Sequence, residues 1–217
     1  MNTTYQLVNT GDSRSFPTSH AFLEAASAEG AGLVLIGAEA GVALARVQEV
    51  AKRTFVAVEL GNECLGVHTG ESRGQEGSNV VGFARFRLGQ SDPSALIELV
   101  RQPQTRAEAL AAARAAFEAA GFKVAVCQDF PGRIVNRLIR PYLNAALRRL
   151  DEKLATADDL DKTLCLGLGY PEGPISLLER TGLADHHDVT LDLYRALGQE
   201  AYAPARRAQV AKLRTAL

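Results

Sequence analysis

The stretch PGRIVNRLIRPYLNAALRRLDE, residues 131–152, decides the architecture. Val135, Leu138, Ile139, Tyr142, Leu143, Ala146, Leu147 and Leu150 recur at three- and four-residue intervals, the stripe of a long helix with one apolar face, and Arg137, Arg140 and Arg148 fall largely off it. Pro141 lies inside that helix, where it removes the bond to the Arg137 carbonyl and is expected to bend the axis. Downstream, Thr156 and Asp159 form a capping box ahead of Leu160, Leu164 and Leu168. GLGYPEGP (167–174) must turn sharply, and Gly182 and Gly198 read as helix stops. Four or five helices and no strand are expected after Pro131.

Upstream, the pattern changes to short β-rich runs separated by alanine-rich helical segments, which marks a sheet flanked by helices. YQLVN (5–9), GLVLI (32–36), TFVAVE (54–59), VVGFARF (80–86) and KVAVC (123–127) are apolar almost throughout, as suits strands covered on both faces. Helices are expected from Thr18 or Ser19 to Ala28, from Val42 to Lys52, and after a Thr105–Glu108 capping box to Gly121. Residues 61–79 read as a long surface loop. The element order is β-α-β-α-β-β-α-β, with domains expected at 1–129 (α/β) and 130–217 (all-α).

Composition narrows the function classes. With 47% apolar and 23% charged residues the chain is expected to fold independently, and a formal charge of −1 gives no electrostatic reason for a nucleic-acid partner. Cys64, Cys127 and Cys165 are odd in number and never paired as CxxC, so neither a disulfide framework nor a metal site is expected. No apolar run is long enough to span a bilayer and the N-terminus lacks a signal-peptide pattern, which points to a cytoplasmic protein without a membrane partner.

From about Val80 to Leu197, VVGFARF, ALIELVRQPQT, DFPGRIVNRLIRPYLNAALRRLDE and GLGYPEGPISLLERTGL resemble in order and spacing the 3-hydroxyacyl-CoA dehydrogenase family, with its pattern PGF-(I/V)-VNRLL-x-PYLNEA followed by LGYPMGP. The resemblance implies an α/β plus all-α fold: a truncated Rossmann-like sheet domain, then a helical dimerisation domain of the 6-phosphogluconate dehydrogenase C-terminal type. It implies acyl-CoA as ligand, NAD as cofactor, oxidation of a 3-hydroxyl in fatty-acid metabolism, and a homodimer, or a pairing with a full-length dehydrogenase, through the helical domain. It also implies that the opening βαβ unit, the CoA-contacting helical hairpin and the terminal GxKTGxGFY segment are absent.

Family chemistry uses a histidine oriented by a glutamate to take the hydroxyl proton. The histidine's position corresponds to Ala84, which accepts no proton; the glutamate's corresponds to Glu98, and the family's active-site asparagine to Asn136. The glycine fingerprint that seats a pyrophosphate on a helix tip is missing, and the cofactor-binding residues are therefore unassigned. The nearest string, Gly37-Ala38-Glu39-Ala40-Gly41, puts a carboxylate at the second glycine.

Two roles are open to each remaining candidate. Glu98 is a catalytic orienter or an ion-paired or surface glutamate, and Asn136 a substrate contact or a backbone-bonding side chain. His68 is a relocated base working with Glu98 or a solvated loop residue. Arg133, Arg137, Arg140, Arg148 and Arg149 hold CoA phosphates or form a solvated face. His186 and His187 read as polar surface residues, the cysteines as unreactive, and Leu143 and Leu147 as part of the face left for a partner. The expectation for activity is a reduced, dimeric family member without ordinary NAD-dependent catalysis; a redox enzyme with a rebuilt site and a non-catalytic subunit are the alternatives.

Overall fold

The computed structural model describes residues 4–215 and Leu217. They divide into two compact units: residues 4–87 with 93–134, and residues 88–92 with the helical segment from Val135 onward. The first is the α/β unit and the second the helical unit.

The α/β unit is built on a six-stranded sheet in sequence order, β1 (Tyr5–Asn9), β2 (Gly32–Ile36), β3 (Val56–Glu59), β4 (Val80–Arg85), β5 (Leu96–Arg101) and β6 (Lys123–Gln128). Strands β1 to β4 run parallel, β5 is antiparallel to β4, and β6 is parallel to β5. Alternation along β2 and β3 distributes the apolar runs to both faces. Val34, Ile36 and Ala57 join an aromatic core with Tyr5, Phe16, Phe22, Phe83 and Phe117, while Leu33, Leu35, Val56 and Val58 join a second core with Leu44, Leu60 and Leu65.

The expected strands are all present, and β5 is additional. LIELVR carries a carboxylate, Glu98, within its apolar run; the structure buries that carboxylate and so permits a central strand. Helices in this unit are shorter than the composition suggests. The first, α1, covers only Ala21–Glu24, starting at His20, whose Nδ1 accepts from the Phe22 amide. It cannot reach Ala28, because the Ser27 amide is drawn back to the Tyr5 carbonyl.

The second, α2, covers Ala40–Leu44, and a separate 3₁₀ turn follows at Val50–Lys52. Glu49 adopts φ 54°, a left-handed conformation that no continuous right-handed helix contains. Asn79 then donates to the Val50 and Arg53 carbonyls, satisfying this turn from the side. Within the expected loop 61–79 a short helix α3 forms at Gly66–Thr69, and α4 spans Ala107–Ala119. The Thr105 capping box is not formed. Its hydroxyl accepts from the Gln102 amide, and the helix starts after Arg106 without a side-chain cap.

The helical unit contains α5 (Val135–Asp151), α6 (Ala157–Leu168), α7 (Pro174–Thr181), α8 (Leu183–Leu197) and α9 (Arg206–Arg214). Thr156 caps α6 by accepting from the Asp159 amide, as expected, and Gly198 closes α8 in a left-handed conformation. The Arg137 carbonyl, deprived of its helical donor by Pro141, instead accepts the hydroxyl of buried Tyr202 at 3.1 Å. That bond satisfies the carbonyl that Pro141 leaves without a helical donor. The α5 stripe differs from the expected one in three ways. Leu138 is exposed, Leu143 and Leu147 are core residues of the unit rather than a free face, and Arg140 is fully buried.

Candidate functional site

Antiparallel pairing sets Ala84 directly opposite Glu98 on one face of the sheet, so the two positions singled out from the sequence are cross-strand neighbours. Glu98 is buried and ion-paired. Its Oε1 accepts from the Ile134 amide at 2.8 Å, and its Oε2 lies 3.5 Å from Arg133 Nε. Arg133 is likewise buried, not part of a solvated face, and its Nη2 donates to the Gly61 carbonyl at 2.6 Å. The Glu98 carboxylate, opposite Ala84, is thus matched by a guanidinium from the turn after β6.

Cys127 lies near the same carboxylate; burial, then Glu98, pushes its thiol up to about 11. Burial and nearby acidic groups, chiefly Asp129, do the same to Cys64. Neither thiol is activated, because the thiolate is disfavoured at neutral pH.

At the carboxyl ends of β1 to β3, where open α/β sheets place their ligands, a second buried carboxylate stands without having been singled out from the sequence. Glu59 Oε2 accepts from the Ser13 hydroxyl and the Gly37 amide, both at 2.7 Å, and its Oε1 accepts from the Ser15 amide at 2.7 Å. The amides of the β1–α1 and β2–α2 connections therefore already bind an internal anion. Gly37 has φ 101°, and a Cβ there would meet the Gly11 carbonyl at 2.6 Å, so only glycine permits the approach.

Beside Glu59 opens a cleft of about 240 Å³ lined by Asp12, Arg14, Ala38, Val42, Leu60 and Glu63 with His68. His68 Nε2 lies 3.3 Å from Glu63 Oε1. Thus His68 is paired with Glu63 and not with Glu98, and it stands on α3 rather than in a solvated loop.

Asn136 belongs to the helical unit, where its Oδ1 accepts from Arg140 Nε at 3.0 Å, one turn along α5. Arg140 Nη1 meets His186 Nδ1 at 2.9 Å, His186 Nε2 meets Asn144 Oδ1 at 3.0 Å, and Asn144 Nδ2 donates to the Ala201 and Ala203 carbonyls. His186 is fully buried, contrary to the surface position expected from sequence, whereas His187 pairs with Asp188. Among the other arginines, Arg148 donates to the Ala203 carbonyl and Arg149 pairs with Glu152. Among the described residues no group of three or more His, Cys, Asp or Glu side chains is placed to hold a metal ion, and no helix is long and apolar enough to cross a membrane.

Residues 132–214 match the 3-hydroxyacyl-CoA dehydrogenase C-terminal domain. This segment belongs to the 3-hydroxyacyl-CoA dehydrogenase C-terminal domain family. It is 39% identical over 88 residues to the mitochondrial hydroxyacyl-coenzyme A dehydrogenase of Homo sapiens, covering 41% of this chain and 28% of that protein. To the probable 3-hydroxybutyryl-CoA dehydrogenase of Deinococcus radiodurans it is 32% identical over 110 residues, covering 51% of this chain and 40% of the relative. The chain therefore matches less than half the length of either relative. The fold is similar to that of 3-hydroxybutyryl-CoA dehydrogenase from Escherichia coli, with a TM-score of 0.72 and 24% identity, covering 87% of this chain and 40% of that one.

Proposed function

We propose that this family member is a cytoplasmic homodimer associated with acyl-CoA metabolism, in which the helical unit makes the pairing and the α/β unit does not hold NAD in the ordinary way. One observation carries the reading: the Glu59 carboxylate occupies the Gly37 and Ser15 amides at the strand ends. A pyrophosphate needs such amides free and repels a carboxylate held among them. The sequence supports the same view, since no GxGxxG string occurs in it and Ala84 stands at the proton-accepting position. Glu98, engaged by Arg133 and the Ile134 amide, serves here as an internal ion-pair partner.

Calorimetric titration with NAD, NADH and acetoacetyl-CoA, singly and in pairs, tests this. No heat of binding is expected from either dinucleotide; micromolar NADH binding would restore the view of an active dehydrogenase with a rebuilt site.

The pairing surface follows from what the helical unit leaves uncovered. Leu138 on α5 is 73% exposed and Leu166 on α6 is 78% exposed, with Leu154 and Leu168 also open, large apolar side chains that a pairing surface would cover. Leu138→Glu combined with Leu166→Glu is expected to give a folded monomer, since neither side chain contributes to the core. Light scattering that reports an unchanged mass eliminates this surface, and a dimer formed only with a full-length dehydrogenase moves the assignment to a non-catalytic subunit.

A further inference from the structure

Two separate segments converge on His68, and a third holds one of them in place. Its Nε2 is held by Glu63 at 3.3 Å, and the Glu63 carboxylate is in turn fixed by the Gly61 amide at 3.0 Å. The loop bearing Glu63 is pinned from below, where Gly132 N donates to the Asn62 carbonyl and Arg133 Nη2 to the Gly61 carbonyl. On its other side the imidazole lies against Gly41 of α2, where a Cβ would come within 2.1 Å of the ring. Glycine inside a helix costs roughly 0.5–1 kcal/mol relative to alanine, so the space it leaves for the ring is a specific requirement of this packing. An exposed histidine needs no such arrangement.

These groups line the cleft at the carboxyl ends of β1 to β3. Nε2 is committed to Glu63, so in the neutral ring its proton sits there and Nδ1 is an acceptor. The lining carries Asp12, Glu59 and Glu63 against Arg14, a balance that repels anions. Ala38, Val42 and Leu60 supply apolar wall. At about 240 Å³ the cleft is smaller than the usual 300–1,000 Å³ of sites for drug-sized ligands, which suits a molecule of a few carbon atoms.

We propose that this cleft binds a small polar molecule that presents hydrogen-bond donors and carries no negative charge, a short polyol or amino alcohol, with His68 as the acceptor and Glu63 as the residue that positions it. Asp12 and the second oxygen of Glu63 take the remaining donors of the ligand, and the apolar wall faces its carbon chain.

The probes are erythritol, ethanolamine and inorganic phosphate, titrated separately into the full chain while the His68 ring resonances are followed by NMR. Erythritol or ethanolamine is expected to shift them saturably, the first identifying a polyol site and the second an amino-alcohol site, and phosphate to leave them in place. Gly41→Val should abolish the shift by driving a side chain into the ring. Glu63→Gln, which keeps the loop bond from the Gly61 amide, should weaken binding about tenfold, the loss of one charge-assisted hydrogen bond. Silence from both donor-bearing probes, an equal response to phosphate, or full binding by a folded Gly41→Val protein overturns the assignment. NADH and polyol binding are read in separate titrations, so either reading can fail alone.

Discussion

Lowering the pH from 7 to 5 should remove about 2 kcal/mol of stability from the helical unit through His186 alone. The imidazole is fully buried on α8, with Nδ1 2.9 Å from Arg140 Nη1 and Nε2 3.0 Å from Asn144 Oδ1. A guanidinium can only donate, so Nδ1 must accept and the ring proton must lie on Nε2, directed at the Asn144 carbonyl oxygen. The Asn144 amide nitrogen is then oriented toward the Ala201 and Ala203 carbonyls. A second ring proton would stand against the Arg140 cation. Burial first, and Arg140 next, hold the His186 pKa down to about 3.

The folded value lies below the unfolded value of about 6.5, so the unfolded chain takes up the proton first as pH falls. Stability is therefore full above pH 6.5 and declines between 6.5 and about 3, by about 1.4 kcal/mol per unit. His20, lowered by burial and by Arg85, adds a contribution of the same sign in the α/β unit, so comparison with a variant is needed to isolate His186. Glutamine at 186 can accept from Arg140 and donate to Asn144 without titrating in this range. Urea unfolding at both pH values should show the acid loss in the wild-type chain and lack the 2 kcal/mol component in His186→Gln. Identical pH slopes would refute the role of the imidazole.

This network also marks the limit of what periodicity discloses. The α5 stripe locates the helix, yet it does not disclose that Leu143 and Leu147 face the unit's own core, and polar side chains such as Arg140 and His186 read as surface residues although both are buried. Side-chain type predicts burial only where no partner is available, and the partner here is 46 positions away in sequence. Cap and strand signals behaved according to how local they are. Thr156, which needs only Asp159, forms its cap; Thr105, whose hydroxyl is drawn to the Gln102 amide, does not. LIELVR gives the same lesson, because the salt bridge that lets Glu98 enter a central strand comes from Arg133, beyond α4 and β6. For the candidate site, family resemblance located Ala84 and Glu98, which the sheet sets opposite each other. Glu59 had no such pointer. Its partners Ser13, Ser15 and Gly37 converge on it only through the parallel order of β1, β2 and β3.

Arg133→Met should destabilise the α/β unit by about 3–5 kcal/mol at neutral pH, because it strands the buried Glu98 carboxylate without its counter-charge. Arg133 adopts φ 52°, a conformation uncommon for residues other than glycine, and accepts that strain while its guanidinium reaches both Glu98 and the Gly61 carbonyl. Methionine has comparable length but can neither neutralise the carboxylate nor donate to Gly61. Two contributions are thus lost together, and a double-mutant cycle separates them. In the Glu98→Gln background the charge is already gone, and the same arginine substitution should cost only the Gly61 hydrogen bond and the packing, about 1–2 kcal/mol. Chemical denaturation of the four chains measures the difference. If Arg133→Met is equally costly with and without the Glu98 carboxylate, the pair is not an ion pair of consequence.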